Sequence, residues 1–191
     1  MKDILQRDEK VLREIAAEIP IKDIGSLKIK KILKEMDLAL TKQDDGVAIA
    51  APQIGYSLRI FTVAGKVFDK NFMDDKVINS KESNTETVEE EEKSIPKNLV
   101  FINPKITKLS RTKKWVPEGC LSVRWLYGKT YRSTKATIEA YDENGTKFVR
   151  GASGLLAQIF QHETDHLNGI LFHDHAKDLK EDLSAQAGEP Q

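Results

Sequence analysis

Between Ser153 and Gly169 the chain sets His162, Glu163 and His166 into what is otherwise the apolar side of a helix. At a period of 3.6, Leu155, Ile159, His162, Glu163 and His166 fall along one side, so three polar groups continue a stripe that should face a core. Any fold adopted by this chain must wrap that helix and satisfy those groups. Histidines four residues apart on a helix can bind one metal ion, and a glutamate beside the first can poise a water on it. The plainer alternative is a buried helix whose histidines only hydrogen-bond, and the His-Glu-x-x-His pattern alone does not choose between the two.

A length of 191 residues suits one domain with a sizeable core. Thirty basic residues balance thirty acidic ones, which gives no bias toward nucleic acid or an anionic membrane surface. No apolar run approaches a membrane span, and Met1 to Lys10 is too charged for a secretory leader. The expected location is the cytoplasm. Cys120 is the single cysteine, so no intrachain disulfide can form, and the thiol reads as a ligand or a nucleophile.

In chain order, Met1 to Ile19 reads as an extended lead-in with a short helical turn. Ile29, Ile32, Leu33, Met36 and Leu40 share one face of a first long helix, with Ser26 as its N-cap and Asp44-Asp45-Gly46 as its stop. Gly46 to Gln53 is a run of small residues closed by proline and an amide; it suits a loop facing a ligand, or close packing of a helix on a strand. Arg59 to Val63 and Asn98 to Ile106 read as strands. Between them, Ser80 to Ser94 holds six glutamates, two lysines and one aliphatic residue, which predicts a solvated acidic insertion at about 74–97. Ala136, Ile138 and Ala140 alternate with Thr137, Glu139 and Tyr141, and Asp142-Glu143-Asn144-Gly145 turns the chain into a hairpin. Gly151-Ala152-Ser153 caps the central helix, Ile170-Leu171-Phe172 packs back on the core, and His173 and His175 read as surface residues. The domain expected is 1–175, followed by a polar tail at 176–191.

Two histidines leave a catalytic ion short of a ligand. Cys120 is the available third donor, and a thiolate with two imidazoles suits Zn²⁺ or Fe²⁺. Glu163 is then placed to take a proton from bound water and pass it to a leaving nitrogen. If the loops converge, the backbone N–H of Leu121 and the side chain of Gln53 can stabilise an oxyanion.

Gly46-Val47-Ala48-Ile49-Ala50-Ala51-Pro52-Gln53, Glu118-Gly119-Cys120-Leu121-Ser122 and His162-Glu163-Thr164-Asp165-His166 resemble, in order and spacing, the three signature motifs of peptide deformylases. The resemblance runs from about Ile4 through Phe172. It implies an α+β fold of antiparallel strands packed around a central metal-binding helix, and removal of the N-formyl group from N-formylmethionyl nascent polypeptides with release of formate. It implies metal ligation by Cys120, His162 and His166, and attack of metal-bound water on the formyl carbon with Glu163 as general base and acid. Gln53 and Leu121 would stabilise the intermediate, and Gly46, Val47, Ala48 and Gly119 would line the substrate groove. One divalent ion is implied, Fe²⁺ first, with Ni²⁺, Co²⁺ or Zn²⁺ as alternatives. Val47, Leu121 and Ile159 are expected to hold the methionine side chain. The expected state is a monomer near the ribosome, without docking through its acidic tail and without direct nucleic-acid or membrane contact.

Three features depart from the family pattern: Ala48 stands where glycine is usual, Arg124-Trp125 replaces a Pro-Gly turn, and the acidic insertion is extra. Two rivals stay open. One is a His-Glu-x-x-His metallopeptidase, which would draw its third ligand from a histidine or carboxylate. The other is a non-catalytic relative that binds peptides.

Overall fold

The computed structural model describes residues 2–68 and 96–182. The acidic insertion and the end of the chain lie outside those residues. Helix α1 (Leu27–Thr41) starts where predicted, with the Ser26 hydroxyl accepting from Ile29 N. Its Ile29, Ile32, Met36 and Leu40 are buried, and Leu33 packs at the edge of the same cluster.

Eight strands follow: β1 (Ala48–Ala50), β2 (Ile60–Val63), β3 (Leu99–Leu109), β4 (Lys113–Gly119), β5 (Leu126–Ser133), β6 (Lys135–Tyr141), β7 (Lys147–Ser153) and β8 (Lys177–Glu181). They form a five-stranded sheet ordered β1-β2-β3-β6-β7 and a three-stranded sheet ordered β4-β5-β8, with antiparallel pairing throughout. Helix α2 (Gly154–Leu167) follows β7 directly.

The larger sheet is covered on both sides near β1 and β2. Successive strand residues point to opposite faces: Ile49, Ile60 and Ile102 join the cluster under α1, while Ala48, Ala50, Phe61 and Phe101 join the cluster under α2. All four residues of β2 are therefore buried. Phe61 and Phe101 stack with ring centroids 4.5 Å apart, and Phe160 of α2 meets Phe101 at 5.2 Å. Ala136, Ile138 and Ala140 alternate inward along β6 as the sequence pattern required. This aromatic and aliphatic bed fixes the rotation of α2, and with it the direction of His162 and His166.

The short run Gly46 to Gln53 is both of the things its composition allowed. Ala48–Ala50 pairs with β2, and Ala51–Ile54 makes a 3-10 turn. Gly169, at φ +73°, ends α2 where an added Cβ would meet Arg13 O at 2.6 Å, so both its conformation and its packing demand glycine.

Two local readings are corrected. Ser153 occupies the N-cap position of α2 but its hydroxyl makes no capping bond, because Gly151 to Ser153 are still paired with Thr137 to Lys135 as the end of β7. Residues 177–181, read as tail, pair with β5 instead; the strand is exposed along its length and carries no apolar alternation to announce it. His173 lies in a 3-10 turn, Phe172–Asp174, with His175 directly after it; they neighbour Asp174 and Asp165 respectively.

Candidate active site

Three segments far apart in sequence meet beside α2. His162 and His166 lie one turn apart, with ring centroids separated by 4.9 Å. The turn after β4 brings Cys120 Sγ to 3.2 Å from His166 Nε2. Ligand atoms of Cys120, His162 and His166 all lie within 4.8 Å of one another, a spacing that one ion draws together at nitrogen and thiolate bond lengths of roughly 2.0–2.3 Å. The donor set fits a divalent ion of intermediate softness.

The protonation preferences agree with that fit. Burial holds His166 well below the usual histidine range, so it is neutral and able to ligate. For His162 burial acts in the same direction, but hydrogen bonds to Cys120 and Glu118 overcome it and raise the imidazole well above its usual value. Surroundings that favour a proton there favour a metal cation in its place.

His162 is oriented from behind. Its Nδ1 bonds Glu118 Oε1 at 2.7 Å, which leaves Nε2 for the centre. Glu118, 3% exposed in its side chain, also accepts from Thr130 Oγ1 at 2.6 Å and from Arg132 Nε and Nη2 at 3.0 and 2.7 Å. Arg132 Nη1 continues to Asp165 Oδ2 at 2.6 Å. Burial alone would raise the Glu118 pKa, yet the bonds from His162 and Arg132 hold it far below the usual carboxylate range. Glu118 stands in the same short motif as the cysteine, but neither this role nor those of Arg132 and Asp165 can be read from the motif. Glu118 faces Gly128 in the β4–β5 register, and that register puts Thr130 and Arg132 within reach; motif spacing does not contain it.

Glu163 is 3% exposed, and its Oε2 has no hydrogen-bond partner among the described residues. Burial pushes its pKa up to about 7, against the pull of His162. Gln53, on the 3-10 turn after β1, is 2% exposed. Its Oε1 accepts from Ala50 N at 2.8 Å, which turns Nε2 toward Ser122 Oγ at 3.1 Å and Cys120 Sγ at 3.7 Å. The Leu121 carbonyl accepts from Gln6 Nε2 at 3.1 Å, and Gln6 Oε1 accepts from Arg124 N at 3.3 Å, so the amino-terminal segment pins the Cys120 turn.

A cavity of about 330 Å³ opens onto this cluster. Gln53, Cys120, His162 and Glu163 line its polar end, and Val47, Leu121, Leu155 and Ile159 contribute apolar walls. Gly46, Ala48 and Gly119 also line it. Tyr127 packs across Gly119 so closely that an added Cβ would lie 2.8 Å from its ring. Every residue singled out from the sequence as catalytic or groove-lining thus borders one cavity, with the exception of His166, which stands behind the thiol as the third donor.

Fold and site define a class: an α+β protein whose helix carries a Cys/His/His group able to hold a divalent ion beside a buried carboxylate. The family follows from comparison. The chain matches the Polypeptide deformylase family over residues 1–182 and belongs to it; it is a hydrolase of protein biosynthesis acting in N-terminal processing. It is 35% identical over 178 residues to a peptide deformylase of Psychrobacter cryohalolentis, covering 93% of this chain and 80% of that protein. To peptide deformylase 2 of Clostridium acetobutylicum it is 34% identical over 174 residues, covering 91% and 94%. The crystal structure of a Met-Ala-Ser-bound class I type b peptide deformylase from Acinetobacter baumannii superposes with a TM-score of 0.71 at 27% identity, covering 90% of this chain and 96% of that one.

Proposed function

We propose that this chain hydrolyses the N-formyl group of N-formylmethionyl nascent polypeptides, with Cys120, His162 and His166 holding one divalent ion and Glu163 moving the proton. The observation that carries the reading is the buried Glu163 carboxylate, one oxygen unpartnered among the described residues, beside a Cys/His/His group at the end of a small cavity. When bound, the ion supplies a Lewis acid that lowers the pKa of water at neutral pH; Fe²⁺ is the ion this reading favours, and Ni²⁺, Co²⁺ and Zn²⁺ also suit the donors.

The remaining chemistry belongs to the chain. A carboxyl with a pKa near 7 accepts a proton during attack and returns it to the departing amine. Gln53 Nε2, aimed toward the cysteine, and the backbone N–H of Leu121 donate to the developing oxyanion. At about 330 Å³ the cavity is at the small end of ligand pockets, suited to a formyl group and one side chain rather than a larger acyl group. Gly46, Val47, Ala48 and Gly119 line the substrate backbone, and Val47, Leu121 and Ile159 receive the methionine side chain. The Met-Ala-Ser bound to the Acinetobacter baumannii relative supports a methionyl peptide in this groove. No helix among the described residues is long and apolar enough to cross a membrane, and we take the site of action to be the cytoplasm, near emerging chains.

The test is formate release from formyl-Met-Ala-Ser by protein loaded anaerobically with Fe²⁺ or Ni²⁺, with acetyl-Met-Ala-Ser as the competitor acyl group. Release from the formyl peptide alone, lost on chelation and lost in Glu163→Ala with metal retained, is the expected result. No release by protein carrying one ion per chain overturns the proposal.

A further inference from the structure

Arg124 joins the two walls of the groove. Its Nη1 donates to Asp45 Oδ2 at 2.8 Å, and its Nη2 donates to Gln43 Oε1 at 2.8 Å and Asp45 Oδ1 at 3.3 Å. The guanidinium also lies 4.7 Å from the Trp125 ring centroid. Asp45, Arg124 and Trp125 all border the cavity. The Asp45 side chain is 58% exposed while that of Arg124 is 18% exposed, which places the bridge at the boundary between cavity and solvent, the mouth of the groove.

The position of this bridge matters more than its strength. Asp45 immediately precedes Gly46 and Gln43 lies three residues before it; the Gly46 N–H donates to Gln43 O at 3.0 Å, and the Gly46 to Ala48 segment forms one wall. Arg124 closes the turn that begins at Cys120, the other wall, where Gln6 holds its backbone N–H. A single exposed ion pair adds little stability. A guanidinium fixed by two acceptor residues and a stacked ring, however, is geometrically specific, and here it ties together loops separated by 79 residues.

On the deformylase reading proposed above, a cavity of about 330 Å³ takes the formylmethionyl head, and the next residue must leave past Arg124 and Trp125. We infer that Arg124 is a specificity-determining residue: clasped to Asp45 and Gln43, it fixes the width of the groove mouth and selects against a bulky side chain immediately after the formylated methionine.

The experiment compares kcat/KM for formyl-Met-Ala-Ser and formyl-Met-Trp-Ser using the Ni²⁺-loaded full chain and its Arg124→Ala, Arg124→Lys and Asp45→Asn variants. Arg124→Ala is expected to raise the Trp-to-Ala ratio by roughly 3- to 10-fold, the scale of a modest steric contact in a pocket, through a lower KM for the tryptophan peptide. Arg124→Lys and Asp45→Asn each keep part of the clasp and should move the ratio the same way by less. Damage of a merely structural kind lowers both substrates together. An unmoved ratio in folded, metal-loaded variants overturns the inference alone, and if Arg124→Ala does not fold, the other two variants decide it. No formate from either peptide with the parent protein takes down the deformylase reading and this inference with it.

Discussion

Replacing Glu118 with glutamine keeps its volume and removes its charge. The carboxylate now meets Thr130 at 2.6 Å, Arg132 at 3.0 and 2.7 Å, Gln158 at 3.3 Å and His162 at 2.7 Å. An amide offers one acceptor oxygen and two N–H donors. It fits best with its nitrogen toward Thr130, whose hydroxyl can rotate to accept, but the Arg132 Nε–H then faces another donor. Removing one partner of a buried ion pair costs about 3–5 kcal/mol. Asp165 still holds Arg132 at 2.6 Å, which puts Glu118→Gln at the low end, about 3 kcal/mol. For a chain of this size that lowers Tm by about 6–12 °C. The weaker acceptor behind His162 should also reduce metal affinity by about 10- to 100-fold. Thermal melting of metal-free protein reads the first effect and chelator competition reads the second. A lowered Tm with unaltered metal affinity refutes the argument that Glu118 orients His162, and no change in either refutes the network altogether.

Gln53→Ala should lower kcat by about 10²- to 10³-fold, as loss of an oxyanion donor does, with metal content retained; steady-state kinetics and metal analysis check it. Ala48→Gly removes a methyl from the groove wall, so KM for formylated tripeptides should fall while urea unfolding shows a loss of about 0.5–1 kcal/mol from glycine in a strand. Asp174 accepts from Arg13 at 2.5 Å and from Leu171 N at 2.9 Å. Burial alone would raise its pKa, but these bonds lower it. Its contribution is therefore complete above the ordinary carboxylate pKa of about 3.9 and is lost as pH falls through the lowered folded value. Asp174→Asn should cost no more than about 1 kcal/mol at pH 7, and the two unfolding curves should converge below pH 4.

The parts of this molecule that were legible in the sequence are those written in short periods. The α1 face, the inward alternation of Ala136, Ile138 and Ala140, and the helix bearing His162 and His166 each follow from local repeats of 3.6 or 2. Cys120 and Gln53 were singled out because a two-histidine centre needs a third donor and an oxyanion needs an amide. Glu118, Arg132 and Asp165 were missed for a physical reason: their meeting depends on the β4–β5 register and on where α2 crosses that sheet. β8 was missed because the β5 edge supplies its partner and no apolar periodicity marks Lys177–Glu181. The Arg124 clasp likewise unites loops that only the closed fold brings together.

The bonds made by Gln6 also bear on how the protein comes to life. Gln6 reaches Leu121 and Arg124, 115 and 118 residues further along the chain. Leu5 N donates to Gln53 O, Ala16 N donates to Leu167 O, and Arg13 pairs with Asp174. The segment from Leu5 to Ala16 thus finds its partners between Gln53 and Asp174, and contacts of such long sequence separation are slow to form. A chain halted before α2 would possess β1 and the cysteine turn but neither histidine, nor the Leu167 carbonyl that holds Ala16. The Cys/His/His group is therefore complete only once these distant segments have met.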